Sequence, residues 1–94
     1  MTYIVSESNQ FRKDVKLCVK RGLDIEELKT VIDLLKEGAS LPAKYFDHPL
    51  KPSKKYVNCR ELHIKPDWLL IYQYLDNSLI LHLLRTGSHS DVFK

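Results

Sequence analysis

The stretch YVNCRELHIKPDWLLIYQYLDNSLILHLLRT, residues 56–86, decides the fold because it contains three β-prone runs in succession. These runs extend from about Tyr56 to Ile64, from Trp68 to Leu75 and from Leu79 to Thr86. Lys65-Pro66-Asp67 separates the first two runs, and Asp76-Asn77-Ser78 separates the last two as a tight turn. This order predicts three sequential strands that pair antiparallel.

Two helices are predicted upstream of these strands. After a short β-prone run, Tyr3-Ile4-Val5, apolar residues recur at helical spacing until Gly22. The apolar stripe consists of Phe11, Val15, Cys18 and Val19. Asp24 then begins a second amphipathic helix as its N-cap, and Gly38 ends it. Because only Arg21-Gly22-Leu23 connects the helices, we expect an antiparallel helical hairpin.

The order of elements, β-α-α-β-β-β with a short C-terminal turn capped by Ser88, predicts an α+β domain. We expect the N-terminal helical hairpin to pack on one face of an antiparallel β-sheet and to leave the other face partly open. Residues 39–55 contain three prolines and no sustained periodicity, which predicts a long loop. The aromatic and charged content of this loop favours a functional role.

Length and composition exclude several classes of protein. The 94 residues fit one domain, 1–94, and the longest apolar run, Trp68–Tyr72, is far shorter than the roughly 20 residues of a membrane span. The N-terminus does not resemble a signal peptide, and Cys18 and Cys59 form no CxxC motif. We therefore expect a cytoplasmic protein with reduced thiols and no membrane partner. The net charge of +3 is compatible with a polyanionic partner.

Five polar residues form the candidate site. They are His48, His63, Asp67, Arg85 and His89. His63 ends one predicted strand and Asp67 opens the next, so the hairpin connection predicts that these two are close neighbours. Alternation along the last strand places His82 on the opposite face from Arg85, and we leave His82 out of the site.

Such a set of residues suits acid–base cleavage of RNA. One group removes a proton from the attacking 2′-OH, a second donates a proton to the leaving oxygen, and a guanidinium binds the developing charge. The RNA supplies the nucleophile, so we expect neither a metal nor a cofactor. Taken singly, each residue is more often a surface or ion-pairing group. Two histidines and a carboxylate also suit a transition metal, although the sequence has no HExxH motif.

Aromatic and basic residues near the candidate site are suited to contacting RNA. Trp68 and Phe93 have the bulk to stack on splayed bases, with core packing as the alternative for both. Lys51, Lys54 and Lys55 follow His48 in the long loop and are candidates for phosphate contacts, with a solvated surface as the alternative. The sequence therefore predicts an RNA-binding surface beside the histidines.

Two segments resemble a known family. Cys59–Tyr72, with a His-x-x-Pro-Asp-Trp motif, and Arg85–Phe93, which begins Arg-Thr-Gly-Ser-His, are similar to YafQ-type toxins of the RelE/ParE superfamily of bacterial toxin–antitoxin systems. The resemblance extends over nearly the whole chain. It implies a RelE-like fold and a ribosome-dependent endoribonuclease, or mRNA interferase, that cuts mRNA in the ribosomal A site without a metal.

The resemblance also implies roles for individual residues and a set of partners. It matches His48, His63, Asp67 and His89 to acid–base groups, Arg85 to a phosphate-stabilising arginine, and Trp68 and Phe93 to mRNA-contacting aromatics. The preferred assignment makes His89 the general acid, with Asp67 or His63 on the base side. The implied partners are a cognate antitoxin, the 70S ribosome and its mRNA, with operator DNA contacted only through the antitoxin.

Two other functional classes compete with this interpretation. A ParE-like toxin has a similar fold but inhibits DNA gyrase by binding, and it lacks the catalytic histidines. A small RNA-binding module needs only charge and aromatic residues, so histidine-to-alanine changes would alter its affinity only slightly. An acid–base enzyme is distinguished from both by a bell-shaped dependence of rate on pH.

Overall fold

The computed structural model describes residues 2–93 and contains a five-stranded sheet with three α-helices in that part of the chain. The strands are β1 (Ile4–Glu7), β2 (His48–Pro49), β3 (Arg60–Lys65), β4 (Trp68–Leu75) and β5 (Ile80–Gly87), and the helices are α1 (Asn9–Lys20), α2 (Ile25–Lys36) and α3 (His89–Val92). Single 3-10 turns occupy Ala43–Tyr45 and Asp76–Ser78. The predicted order of elements is confirmed, and the predicted long loop additionally contains one 3-10 turn and the short strand β2.

The sheet has the strand order β1-β5-β4-β3-β2. The predicted antiparallel pairing is confirmed for β3 with β4 and for β4 with β5, and β2 also pairs antiparallel with β3. β1 instead pairs with β5 in parallel, at the edge of the sheet. No hairpin joins β1 to β5, so turn geometry does not fix their relative direction.

The helical hairpin packs on one face of the sheet, as predicted. Ser8 caps α1 by accepting a hydrogen bond from the Phe11 N–H at 2.9 Å, and Asp24 caps α2 by accepting one from Glu26. Buried side chains from both layers fill the space between helices and sheet, including Phe11, Val31, Leu70, Tyr72 and Leu83. None of the helices within residues 2–93 has the length and apolar character that a membrane span requires.

The opposite face of the sheet carries a second, smaller core. This core consists of Tyr56, Cys59, Leu69, Ile71 and Val92. α3 and the segment before β3 cover part of this face, which we expected to be partly open. Cys18 and Cys59 are both buried and free, as predicted, and burial raises the pKa of both thiols.

A β-bulge in β5 changes which residues share a face. Ile71 pairs with Arg85, whereas the next residue, Tyr72, pairs with Leu83, so Leu84 is the extra residue. The expectation that His82 and Arg85 lie on opposite faces is therefore wrong, because both line one surface cavity. Strict alternation fails here because one extra residue shifts the side-chain period.

Candidate active site

Asp67 and His89 form the first of two histidine–carboxylate groups. Asp67 lies in the turn between β3 and β4, and His89 is the first residue of α3. The Asp67 carboxylate accepts a hydrogen bond from the His89 backbone N–H at 2.9 Å and lies 2.6 Å from His89 Nδ1. The backbone donor first, and the imidazole second, lower the pKa of Asp67. With Nδ1 bound to Asp67, Nε2 of His89 is the ring nitrogen left to face a substrate.

The Arg-Thr-Gly-Ser-His motif positions α3 and therefore His89. Ser88 and Asp91 form a capping box, in which the Asp91 carboxylate accepts a hydrogen bond from the Ser88 N–H at 2.9 Å. A Cβ on Gly87 would lie 2.8 Å from Asp91 Oδ2, so only glycine leaves room for that carboxylate. Arg21 follows α1 and donates to Asp91 at 2.6 Å, which lowers the pKa of Asp91 to about 2. The motif thus supports His89 through backbone geometry as well as supplying it.

His48, Glu61 and His63 form the second group. Oε1 of Glu61 lies 3.4 Å from Nε2 of His48 and 3.1 Å from Nε2 of His63. The Glu61 side chain is 7% exposed, so its carboxylate lies beneath the two imidazoles and away from bulk water. Pairing of β2 with β3 sets His48 opposite Glu61, and the two-residue period of β3 brings His63 to the same face.

Sequence reasoning missed Glu61. The available signal was its position two residues before a candidate histidine on a predicted strand, which puts both side chains on one face. Its pairing with His48 could not be inferred, because β2 has only two residues and lies within the predicted loop. Glu61 is therefore a site residue that the tertiary structure adds.

His63 lies between the two groups. The centroid of its ring is 5.7 Å from that of His89 and 6.3 Å from that of His48. Four of the five predicted site residues therefore lie together: His48, His63, Asp67 and His89. His63 and Asp67 lie at the same end of the sheet, but they bind different partners: His63 faces Glu61 and the Pro66 carbonyl, whereas the Asp67 carboxylate binds the start of α3.

Arg85, the fifth predicted residue, is bound mainly to Asp14 of α1. Its Nε donates to Asp14 Oδ2 at 2.7 Å, and its Nη2 donates to Asp14 Oδ1 at 3.3 Å and to the Asp91 carbonyl at 3.1 Å. The hydrogen bonds to Asp14 are the largest cause of the raised pKa of Arg85. Asp14 is buried and also accepts a hydrogen bond from the Thr86 N–H, so it fixes the end of β5.

The predicted RNA-contacting residues lie in different environments. Trp68 is 2% exposed and donates through Nε1 to Thr86 Oγ1 at 3.0 Å, so the structure supports core packing and corrects the expectation of base stacking. Its alternation with Leu69 turns the indole toward the helices. Phe93 is exposed and lies against His89, with ring centroids 6.3 Å apart.

The three predicted lysines are exposed in the segment before β3. Lys51 lines a surface cavity with His48 and Phe93, and Lys55 lines the cavity that contains His82 and Arg85. Lys54 lies between them in the chain and lines neither cavity. Two of the three lysines are therefore next to the predicted site residues.

The fold and the site together define a small α+β protein with two histidine–carboxylate groups suited to general acid–base chemistry. The model of the YafQ family, described as a bacterial toxin of type II toxin–antitoxin system, matches residues 3–94. The chain belongs to this YafQ family of toxins.

Several relatives resemble this chain in both sequence and structure. The mRNA interferase toxin YafQ of Escherichia coli strain B / BL21-DE3 is 44% identical over 90 residues, which cover 95% of this chain and 94% of the relative. The toxin in the E. coli DinJ–YafQ toxin–antitoxin complex has a TM-score of 0.88 at 40% identity and covers 100% of both chains. A metal-bound toxin from Helicobacter pylori has a TM-score of 0.89 at 43% identity, covering 99% of this chain and 100% of that one.

Proposed function

We propose that this chain is an endoribonuclease that cleaves mRNA in the ribosomal A site, with the RNA 2′-OH as nucleophile. The observation that carries the proposal is the proximity of two histidine–carboxylate groups, whose His63 and His89 ring centroids are 5.7 Å apart. A proton acceptor and a proton donor at this spacing can act on the two sides of one phosphodiester. The name of the E. coli relatives, mRNA interferase toxin, supports the same activity.

His89 is the proposed general acid. Asp67 lies 2.6 Å from Nδ1, so its negative charge stabilises the imidazolium and fixes the ring with Nε2–H free to donate. As the P–O5′ bond breaks, Nε2 gives its proton to the departing 5′-oxygen. Asp67 touches His89 and not the reacting atoms, which makes it a positioning residue.

The His63–Glu61 pair is the proposed general base. Nδ1 of His63 is 3.4 Å from the Pro66 carbonyl, which favours Nδ1–H and leaves the lone pair on Nε2, 3.1 Å from Glu61. Nε2 of His63 takes the proton of the 2′-OH while the 2′-oxygen bonds to phosphorus, and the Glu61 carboxylate, 3.1 Å from the same nitrogen, balances the positive charge that forms on the ring. Loss of the 5′-oxygen then leaves a 2′,3′-cyclic phosphate, with the proton count balanced between the two groups.

The positive charges near the site are the proposed phosphate contacts. Arg85 is held by Asp14 as a charge fixed beside α3, and Lys51 lies on the cavity beside His48. Charge of this sign stabilises the additional negative charge of the pentacoordinate transition state. Lys54 and Lys55 are proposed to bind neighbouring phosphates, with an affinity that falls steeply as salt rises.

The proposed partners follow from this activity. The chain acts on mRNA bound to the 70S ribosome, which makes it a cytoplasmic protein. A cognate antitoxin binds and blocks it, as the DinJ–YafQ complex of the E. coli relative suggests. Operator DNA is contacted only through that antitoxin.

Purified protein added to translating ribosomes, followed by mapping of new mRNA 3′ ends, tests the proposal. Wild type should cut within the A-site codon, whereas the double variant Asp67→Ala, His89→Ala should not. His82→Gln is the matched control, because His82 lies on the same sheet but its ring is bonded to Ser6, away from the two groups. If wild type does not cut and yet arrests growth, gyrase inhibition becomes the better explanation.

The second group also favours metal binding. Nδ1 of His48 is 2.9 Å from the Pro49 carbonyl, so both histidines direct Nε2 lone pairs at the Glu61 oxygen, where a proton or a cation is needed between them. Tetrahedral ligands at zinc bond lengths are about 3.3 Å apart, which matches the separations of 3.1 and 3.4 Å. The metal-bound H. pylori relative is consistent with this.

A divalent transition metal at this site would inhibit cleavage, because it takes the lone pairs that the general base needs. Titration of the RNA-free protein with Co²⁺ should give the absorption of tetrahedral Co²⁺, which saturates at one ion per chain. Excess Zn²⁺ should abolish this absorption. Glu61→Gln should weaken the absorption, and His82→Gln should not. Absorption of equal strength in Glu61→Gln would exclude this metal site.

A further inference from the structure

Phe46 is an exposed aromatic residue beside the site that the sequence analysis did not include. Its side chain is 69% exposed, and its ring meets that of His63 edge-on with centroids 6.0 Å apart. The backbone is left-handed, with φ 49° and ψ 44°, a conformation that residues other than glycine adopt rarely. Leu79 shares the left-handed backbone and the exposure, so what points to a binding role for Phe46 is that its exposed ring lies directly against His63.

Hydrogen bonds fix the chain on both sides of Phe46, whose ring is exposed. On the N-terminal side, its backbone N–H donates to the Ala43 carbonyl at 3.0 Å and closes a 3-10 turn. On the C-terminal side, the Asp47 carboxylate accepts hydrogen bonds from Arg60, at 3.0 Å, and from the buried Tyr72 hydroxyl. The backbone that carries the ring is therefore held in place before binding, which lowers the entropy lost when the ring contacts a ligand.

A mainly apolar surface cavity of about 550 Å³ extends from Phe46 along the histidines. Its lining residues are Lys44, Phe46, His48, His63, Ile64, Lys65 and Pro66. Lys65 is paired with Glu27 at 3.2 Å, and the Lys44 amine lies 5.1 Å from the centre of the Tyr45 ring. An apolar wall with cationic residues at its edge fits a nucleobase whose phosphate lies at the histidines.

Phe93 is the exposed aromatic residue next to His89, and it also lines a cavity with His48 and Lys51. Its ring is 6.3 Å from that of His89, so the order of rings is Phe46, His63, His89, Phe93. The His63 side belongs to the proposed general base and the His89 side to the proposed general acid. The two phenylalanines therefore flank the position of the scissile phosphate.

We propose that Phe46 stacks on the base of the nucleotide 5′ of the cut, which supplies the 2′-OH, while Phe93 contacts the base on the 3′ side. This inference rests on the proposed function, because the assignment of His63 as base and His89 as acid decides which phenylalanine lies on the 5′ side of the cut. Holding the two bases apart on separate platforms unstacks them and lets the 2′-oxygen approach in line with the departing oxygen. Phe46 is thus a positioning residue for the substrate.

The test uses ribosomes programmed with an mRNA that carries 2-aminopurine immediately 5′ or immediately 3′ of the cut. A 2′-O-methyl group at the reacting ribose prevents cleavage by every variant. Wild type should quench 2-aminopurine at the 5′ position, and Phe46→Ala should abolish that quenching and weaken mRNA binding roughly 5- to 100-fold. Phe46→Tyr should restore both.

Leu79→Ala is the matched control. Leu79 is also exposed, has φ 52° and also follows a 3-10 turn, but lies at the opposite end of β4 and β5 from Asp67 and His89. Equal quenching and affinity in Phe46→Ala and Leu79→Ala would overturn the inference, and so would loss of quenching only at the 3′ position. Failure of wild type to cut the unmodified mRNA, with Phe46-dependent quenching intact, would instead overturn the proposed cleavage chemistry.

Discussion

The two histidine–carboxylate groups differ in burial and in the elements that hold them. The Asp67–His89 pair is exposed, 69% and 51% respectively, and depends on a four-residue helix. Glu61 is 7% exposed and lies on β3, the strand next to the edge of the sheet, between two histidines. In the first group, geometry comes from the caps of α3, whereas in the second it comes from strand register.

This difference predicts different consequences of substitution. An exposed pair contributes little to the free energy of unfolding, so changes there should affect cleavage alone. A buried carboxylate that contacts two side chains contributes to stability as well, because its removal breaks both interactions inside the protein.

The largest effect on cleavage is expected for His89→Gln. Loss of the general acid should reduce the cleavage rate by about 10²- to 10⁴-fold while the melting temperature stays unchanged. Rapid-quench cleavage assays with thermal melts measure both. Ser90→Gln, a change at the next exposed position of α3, is the control and should cleave as wild type.

Glu61→Gln should reduce both cleavage and stability. The loss of the carboxylate weakens the general base, which we expect to cost about 10²-fold in rate. The two imidazoles also lose the buried carboxylate that both contact, which should lower the free energy of unfolding by roughly 1–3 kcal/mol. Urea denaturation measures the second effect, and a variant with unchanged stability would contradict the described burial.

Gly87→Ala should disturb the exposed group and spare the buried one. The added Cβ would lie 2.8 Å from Asp91 Oδ2, so the capping box must shift and carry His89 with it. We expect a loss of about 1–3 kcal/mol in stability and slower cleavage, with unchanged Co²⁺ binding at Glu61. Gly38→Ala, at another positive φ of 72° next to α2, should lose stability without a specific loss of cleavage.

The smallest effect concerns the pH dependence of stability through Asp91. Its pKa is about 2 in the folded protein, mainly because of Arg21, and therefore lies below that of the unfolded chain. The stabilisation is present above about pH 4 and is lost as the pH falls toward 2, because the unfolded state binds more protons. Asp91→Asn should be less stable than wild type at pH 7 by about 1 kcal/mol, and acid titration of both should show the difference disappear.

Much of the site was predictable because it lies next to local signals. Asp67 lies in a turn, Ser88 is a recognisable cap, and His89 follows Ser88 directly, so their place at one end of the sheet could be expected from strand order. The hydrogen-bonding partner of Asp67 could not be predicted. Its choice of His89 over His63 depends on where α3 begins above the turn, which no spacing in the sequence specifies.

The sequence alone determined the elements: a short first strand, two capped helices, three consecutive antiparallel strands and a cluster of histidines at their ends. Hydrophobic period, caps and turn residues act over a few positions, so they can be recognised without the fold. The tertiary structure decided the bulge at Leu84, the burial of Trp68, the addition of Glu61 and the outward position of Phe46. Each of these depends on register or contact between distant segments, and a shift of one residue would change which face a side chain occupies.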